Sequence, residues 1–201
     1  KKRAFPVLLI VGSDCDTGKM TTAWEITQAL KARKRNVHFI GTGQTGILLS
    51  ESGVPIDAVI SDFMVGEVEH CLDQLPKNTD LAIVEGQGSI NNMHYSGVTL
   101  GLLHGCMPDY LIFTHEPIRK IDVTGYPIPD LQQLMDLYLD LMRPFKKTKY
   151  LGVNLLTLKL NENEAKKAKQ ILSKKLELPI SDIVRWEDEK FIDHIENSVF
   201  K

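Results

Sequence analysis

The sequence of 201 residues lacks the metal-binding and disulfide patterns of several protein classes. Its three cysteines, Cys15, Cys71 and Cys106, are far apart and odd in number, so they suit neither a disulfide framework nor a zinc site. The six histidines include no His-x-x-x-His pair, so we expect no transition metal. This cysteine usage indicates a reducing compartment, and we expect the protein to be cytoplasmic.

Long apolar runs and a strong net charge are also missing. No segment approaches the roughly 20 apolar residues that a membrane-spanning helix needs, and the first residues lack the pattern of a signal peptide. The formal net charge of −2 gives no electrostatic reason to expect nucleic acid or an anionic membrane as a partner. We expect neither, and we expect a homo-oligomer that acts on a small molecule.

What the chain does contain is a regular alternation of β-rich and helical patterns. We predict strands over 5–11, 37–40, 56–60, 81–84, 110–113 and 150–155 and one near Ile183, and helices over 20–35, 64–75, 131–142 and 164–175, with a closing helix to Phe200. The alternation predicts an α/β fold with a mostly parallel sheet and helices on both faces. The length and the 43% hydrophobic content fit one domain over residues 1–201.

Four loops that follow predicted strands are rich in glycine or polar residues. They cover residues 12–19, 41–46, 85–89 and 114–119. In an open parallel sheet, ligands bind beyond the carboxyl ends of the strands, where these loops meet. The sequence therefore predicts a ligand crevice at this edge.

The most specific binding motif in the sequence is the first of these loops, Gly12-Ser13-Asp14-Cys15-Asp16-Thr17-Gly18-Lys19. A loop of this kind between a buried strand and a helix directs backbone N–H groups and the positive end of the helix at a phosphate chain. Lys19 adds a point charge on the terminal phosphates. The predicted ligand is ATP or acetyl-CoA. The other predicted contacts to it are Met20, Thr21, Gln44, Gly86, Gln87 and Asn154.

Two acids are candidates to hold Mg²⁺ opposite this loop. Glu85 follows the apolar strand 81–84, and an acid at such a strand tip can bind the metal directly or through water. Asp62 follows the predicted strand 56–60, although it could equally cap the helix that comes next. We expect Mg²⁺ at this site.

The motifs resemble two related families of P-loop proteins. The loop spacing is similar to the Gly-Thr-Asp-Thr-x-x-Gly-Lys-Thr loop of dethiobiotin synthetase, as is the segment around Glu85. The resemblance is closer to the D-glutamate N-acetyltransferase-like family, which has a C-terminal P-loop domain. The motifs that resemble that family are the segments 11–15, 18–22, 42–47, 53–59, 84–89, 97–105 and 115–117.

The resemblance implies a P-loop nucleoside triphosphate hydrolase-like fold, and a chain that forms the C-terminal part of a longer protein with an N-terminal Rossmann-like domain. It also implies acetyl transfer from acetyl-CoA to the amine of D-glutamate or a similar acidic amino acid. A protonated amine needs a general base. His115 and Glu116 are our candidates, with His94 behind them, and Arg119 would bind a substrate carboxylate. Lys19 completes the predicted catalytic set.

Three positions of the sequence differ from dethiobiotin synthetase, and they bear on the alternative functions. Gly41 replaces a lysine that serves its carboxylation chemistry, so that reaction is improbable. Met20 replaces the usual Mg²⁺-binding threonine, for which Thr21 or Thr22 could substitute. Leu156 replaces an asparagine near the nucleotide base, for which Asn154 could compensate. An ATP- and Mg²⁺-dependent ligase and a nucleotide-dependent switch domain remain the alternative functions.

Overall fold

The computed structural model describes residues 3–200. The strands are β1 (Val7–Gly12), β2 (Val37–Ile40), β3 (Leu81–Val84), β4 (Tyr110–His115), β5 (Lys149–Leu155) and β6 (Ile180–Ser181). They form one six-stranded sheet in the order β2-β3-β1-β4-β5-β6, and every pairing is parallel. The predicted fold class is confirmed.

Eight α-helices connect and flank these strands within the described residues. They are α1 (Lys19–Ala32), α2 (Gln44–Ser50), α3 (Ser61–Asp73), α4 (Ser96–Cys106), α5 (Leu131–Met142), α6 (Glu162–Leu176), α7 (Ile183–Trp186) and α8 (Glu189–Val199). No helix in residues 3–200 is long and apolar enough to cross a membrane.

The central strand shows why the sheet is covered on both faces. Side chains of a strand alternate between its two faces. Val7, Leu9 and Val11 belong to one buried cluster, which includes residues of α3, α4 and α5. Leu8 and Ile10 belong to the other, which includes residues of α1 and α8. A strand buried on both faces reads as a continuous apolar run, which is the pattern that the sequence has here.

One strand prediction was wrong. The segment 56–60 is no strand, because Ile56–Ala58 forms a short 3₁₀ helix. The main chain there is bonded to the loop after β2, since Ile56 N donates to Thr42 O at 3.0 Å and Ile56 alone of the helix is buried. The strand predicted near Ile183 is β6, and Ile183 itself begins α7. Asp182 caps that helix by accepting a hydrogen bond from the N–H of Arg185.

Helix α4 was missed because its sequence is rich in glycine, which is unfavourable in helix interiors. Two of its glycines, Gly101 and Gly105, face α3. A Cβ added at Gly101 would lie 2.4 Å from Met64 Sδ, and one at Gly105 would lie 2.7 Å from Val68 Cβ. The two helices therefore pack closer than larger side chains would permit. Helix α2, of seven residues, was missed as well.

Candidate functional site

The loop between β1 and α1 is fixed by hydrogen bonds to β4 and within itself. Ser13 N donates to Thr114 O at 3.0 Å. The Thr17 hydroxyl lies 3.0 Å from Asp14 O, to which it donates, and 2.7 Å from the Thr114 hydroxyl. Gly18 precedes the helix with φ of 90°, a left-handed conformation that favours glycine. The loop is therefore held in shape by hydrogen bonds within the protein.

Lys19 is buried at the start of α1, and its side chain folds back over the loop. Its Nζ donates to the carbonyl of Asp14 at 2.6 Å. Burial lowers the pKa of Lys19 to about 8, although the nearby acidic groups oppose the shift. No ion pair involves Lys19 in the part of the chain that the structure describes. Its charge is therefore available to an anion.

Glu85, at the tip of β3, joins the loops after β2 and β3. Its Oε2 accepts hydrogen bonds from the N–H groups of Thr42 at 2.8 Å and Gly43 at 3.1 Å. Thr42 Oγ1 donates in return to Glu85 O at 2.8 Å. Burial raises the pKa of the Glu85 carboxyl, although these N–H groups and Lys19 oppose the shift. The next residue, Gly86, packs directly on β1.

A cavity of about 730 Å³ opens in front of Lys19, within the range of small-molecule sites. Its polar and backbone lining comes from Cys15, Asp16, Gly18, Lys19, Thr21, Thr42, Gly43, Asp57, Glu85, Gly86, Gln87 and Gly88. Its apolar and aromatic lining comes from Met20, Ile56, Tyr95, Val98, Val123 and Leu156. Lys19 is the one cation among these residues, against three carboxylates. We call this space the phosphate cavity.

The donors on this cavity fit Mg²⁺, which is commonly held by one or two carboxylates together with waters and substrate phosphates. Thr21, Asp57 and Glu85 line the cavity and supply oxygen atoms. Residues 3–200 contain no group of three or more His, Cys, Asp or Glu placed to bind a metal by themselves. Phosphate oxygens of a bound ligand would therefore complete the coordination.

Asp62 and Thr22 are not brought to the phosphate cavity. Asp62 is exposed in the first turn of α3. The strand predicted over 56–60, which would have ended beside Asp62, does not form. Thr22 Oγ1 donates to Gly18 O at 2.7 Å and accepts from Asn154 Nδ2 at 2.8 Å. Asp57, in the short 3₁₀ helix, lines the cavity instead. The motif around residues 53–59 held the signal that could have found it.

Two predicted ligand contacts that follow the loop in the sequence, Gln44 and Asn154, also lie outside this cavity. Both ends of the Asn154 amide are used by the protein, because Oδ1 accepts from Ile183 N at 2.9 Å and Nδ2 donates to Thr22. Gln44 is exposed at the start of α2. Gly86 and Gln87 do line the cavity, and Gln87 Nε2 donates to Thr42 Oγ1 at 3.1 Å.

The residues predicted to be catalytic at the end of β4 lie on the other side of the loop. His115 is buried, with Nδ1 at 2.8 Å from the Ser13 hydroxyl. Burial lowers the pKa of His115 to about 4, so the ring is neutral at neutral pH. Burial opposes ionisation of Glu116, but hydrogen bonds from Lys159 and Arg119 outweigh it and lower the pKa of the carboxyl. His94 is exposed and lines neither this region nor the phosphate cavity.

Arg119 ties the loop after β4 to the loop after β1. It forms ion pairs with Glu116 at 2.7 Å and with Asp14 at 2.9 Å, and it donates to Cys15 O at 2.8 Å. The Asp14 carboxylate also accepts from Val123 N at 2.9 Å. Ser13, Asp14 and Arg119 are therefore structural braces, and Ser13, Asp14, Gly12 and Thr17 do not line the phosphate cavity.

A parallel sheet whose first strand leads through a glycine-bounded loop into a lysine-headed helix defines a P-loop protein with a nucleotide-binding type of fold. The chain belongs to the DUF1611 family. Residues 1–192 match the family described as "Domain of unknown function (DUF1611_C) P-loop domain". The family resemblance seen in the sequence is thereby confirmed.

Two relatives are named D-glutamate N-acetyltransferase. The one from Tritonibacter scottomollicae is 40% identical over 197 residues, which cover 96% of this chain and 58% of the relative. The one from Pseudoalteromonas sp. is 47% identical over 114 residues, or 57% of this chain and 34% of the relative. The chain thus spans little more than half the length of the first relative.

Solved structures agree with this placement. A DUF1611 family protein from Anabaena variabilis has a TM-score of 0.92 at 33% identity, covering 97% of this chain and 58% of that protein. Cobyrinic acid a,c-diamide synthase from Mycobacterium smegmatis, solved with an ATP analogue and magnesium, has a TM-score of 0.62 at 15% identity, covering 96% of this chain and 92% of that protein. The second likeness shows the fold alone.

Proposed function

We propose that this chain is the phosphate-binding part of an enzyme that transfers an acetyl group from acetyl-CoA to the amine of D-glutamate or a similar acidic amino acid. The buried Lys19, unpaired with any carboxylate among residues 3–200 and facing a cavity of about 730 Å³, supports it most directly. The names of the two relatives support the reaction. The expected cytoplasmic location, homo-oligomer and N-terminal Rossmann-like domain stay predictions.

The phosphate cavity suits either of the two predicted ligands. Coenzyme A contains a phosphorylated ADP unit, so its phosphates could occupy the same loop as those of ATP. The N-terminus of α1 and Lys19 would neutralise them. A bound Mg²⁺ would supply further neutralisation of phosphate charge, and Thr21, Asp57 and Glu85 would hold it.

Acetyl transfer needs a base for the acceptor amine. The ammonium group loses one proton to the base, its nitrogen then forms a bond to the thioester carbonyl carbon, and the carbon–sulfur bond breaks. A second amine proton ends on the leaving sulfur, which gives the amide, free coenzyme A and one released proton. His115 is the proposed base because its imidazole lies against the loop after β1, 2.8 Å from the Ser13 hydroxyl, and is unprotonated at neutral pH. Carboxylates bound near Lys120 and Arg119, which help to lower the pKa of His115, would raise it.

The structure supplies a reason against the ligase alternative. A Cβ added at Gly41 would lie 2.5 Å from both Gly46 C and Ile47 N. No lysine side chain fits this backbone at the position where dethiobiotin synthetase has one. Acetyl transfer from a thioester needs no such lysine and no ATP, since the acyl group is already activated.

The test is product analysis with the intact protein. We expect D-glutamate and acetyl-CoA to give free thiol, in an amount equal to the N-acetylated product, without ATP. Lys19→Ala should weaken the use of acetyl-CoA, whereas Lys77→Gln should not, because Lys77 is exposed in the turn before β3 at the opposite edge of the sheet. Formation of ADP without thiol would establish the ligase instead, and nucleotide binding with neither product would favour the switch.

A further inference from the structure

A second cavity, of about 400 Å³, lies beyond the end of β4. Its lining includes His115, Lys120, Ile128, Leu131, Ala168 and Leu172. The loop from 117 to 130 forms one wall and α6 forms another. We call it the β4 cavity.

The two cavities have opposite charge. Three carboxylates and one lysine line the phosphate cavity, whereas three cations and one carboxylate line the β4 cavity. Lys175 is paired with Asp130, and Arg119 with Asp14 and Glu116. Lys120 is exposed and has no ion pair in the described part of the chain. The β4 cavity should therefore attract a small acid. The phosphate cavity should repel it unless the carboxylates there are neutralised.

We propose that the β4 cavity binds the acceptor, a small dicarboxylic amino acid. The inference rests on the proposed function. Lys120 binds the carboxylates at one end, and Ile128, Leu131 and Leu172 contact the methylene groups. His115, which also lines the cavity, is within reach of the amine.

The acceptor and the phosphate ligand bind on two sides of one loop. His115 contacts Ser13 at 2.8 Å, and Arg119 donates to Cys15 O at 2.8 Å, while Cys15 itself lines the phosphate cavity. Coenzyme A has its thioester at the end of a long flexible arm, so the reacting carbon can lie away from the phosphates. Because both ligands contact this loop, each should change the other's affinity by the same factor.

The test uses the intact protein and three probes: D-glutamate, glutarate, which lacks the amine, and D-glutamine, which lacks the second carboxylate. Lys120→Gln should weaken D-glutamate and glutarate by about five- to tenfold, and D-glutamine less. Ala168→Phe keeps every charge but fills the cavity, so it should weaken all three. Circular dichroism would show that both variants are folded, and coenzyme A binding without acceptor should be unchanged. Lys77→Gln is the matched lysine control.

The outcomes separate this inference from the proposed function. Three results would each show that the β4 cavity is not the acceptor site. The first is glutarate binding that neither variant changes, and the second is a wild-type protein that does not bind glutarate. The third is a loss of glutarate affinity in Lys19→Ala as large as the loss in Lys120→Gln. If both variants release thiol at the wild-type rate, the β4 cavity is not the acceptor site, but the proposed acetyl transfer is still supported. Dicarboxylate binding that the variants abolish, in a wild-type protein that releases no thiol, would support the site and reject the acetyl transfer.

Discussion

The phosphate cavity and the β4 cavity use the same loop in different ways. Cys15, Asp16, Gly18 and Lys19 line the first, so its wall is made of loop backbone and one buried lysine. On the other side, Ser13 and Asp14 bond to His115 and Arg119, which line the second. We infer that one side of the loop binds phosphates and that the other side contacts residues of the acceptor site. If so, changes on the phosphate side should alter phosphate binding and leave acceptor binding unchanged.

The largest effect should come from Gly86→Ala, in the wall of the phosphate cavity. A Cβ at this position would lie 1.7 Å from Ile10 O, so β1 or β3 would have to move. We expect a loss of about 3 kcal/mol in the free energy of unfolding. Gly97→Ala is the matched control, because nothing lies within 4 Å of its added Cβ. Chemical denaturation measures both, and a wild-type midpoint for Gly86→Ala would show that the strands can separate at little cost.

The parts that depend on local pattern were predictable from the sequence. The apolar run at 81–84 forms β3 with those bounds, and the loop ending in Lys19 lies between a buried strand and a helix. Both follow from burial on two faces and from the needs of a phosphate site. Phosphate binding by this loop stays a prediction.

The parts that depend on packing between distant segments were not predictable. Asp62 was chosen because a strand was expected at 56–60. The hydrogen bond from Ile56 N to Thr42 O instead holds a short 3₁₀ helix beside the loop after β2, and Asp57 of that helix lines the cavity. The position of Arg119 is another case. Its sequence neighbours do not reveal that Asp14, 105 positions earlier, is its partner.

Lys19→Ala should have the next largest effect, on ligand binding rather than stability. A hydrogen bond to a charged group contributes roughly 1.5–3 kcal/mol, so we expect phosphate ligands to bind about ten- to a hundredfold more weakly. The fold should survive, because among residues 3–200 the lysine ammonium bonds only to the Asp14 carbonyl. Titration calorimetry with ATP and acetyl-CoA measures the change, and glutarate affinity should stay the same.

The pKa of Lys19 gives this prediction a second check. Since burial lowers it to about 8, the lysine is charged below pH 8 and loses its charge above it. Wild-type affinity for coenzyme A, measured without Mg²⁺, should therefore fall as the pH rises beyond about 8, and Lys19→Ala should lack this component. Equal pH profiles in a folded variant would mean that Lys19 does not contact the phosphates.

Glu85→Gln should have the smallest effect, and its sign is the informative part. The amide oxygen of glutamine can still accept from Thr42 N and Gly43 N, so the two loops should stay joined. Without Mg²⁺, removing a carboxylate from a cavity that receives phosphates should slightly strengthen ATP binding, because one repulsion is lost. With Mg²⁺, the same change should weaken ATP binding by about threefold to fivefold, because a metal ligand is lost. Titrations of ATP into both proteins, with and without Mg²⁺, would show the reversal. A change of the same sign in both conditions would show that Glu85 only braces the loops, and that Mg²⁺, if it binds here, is held by other residues.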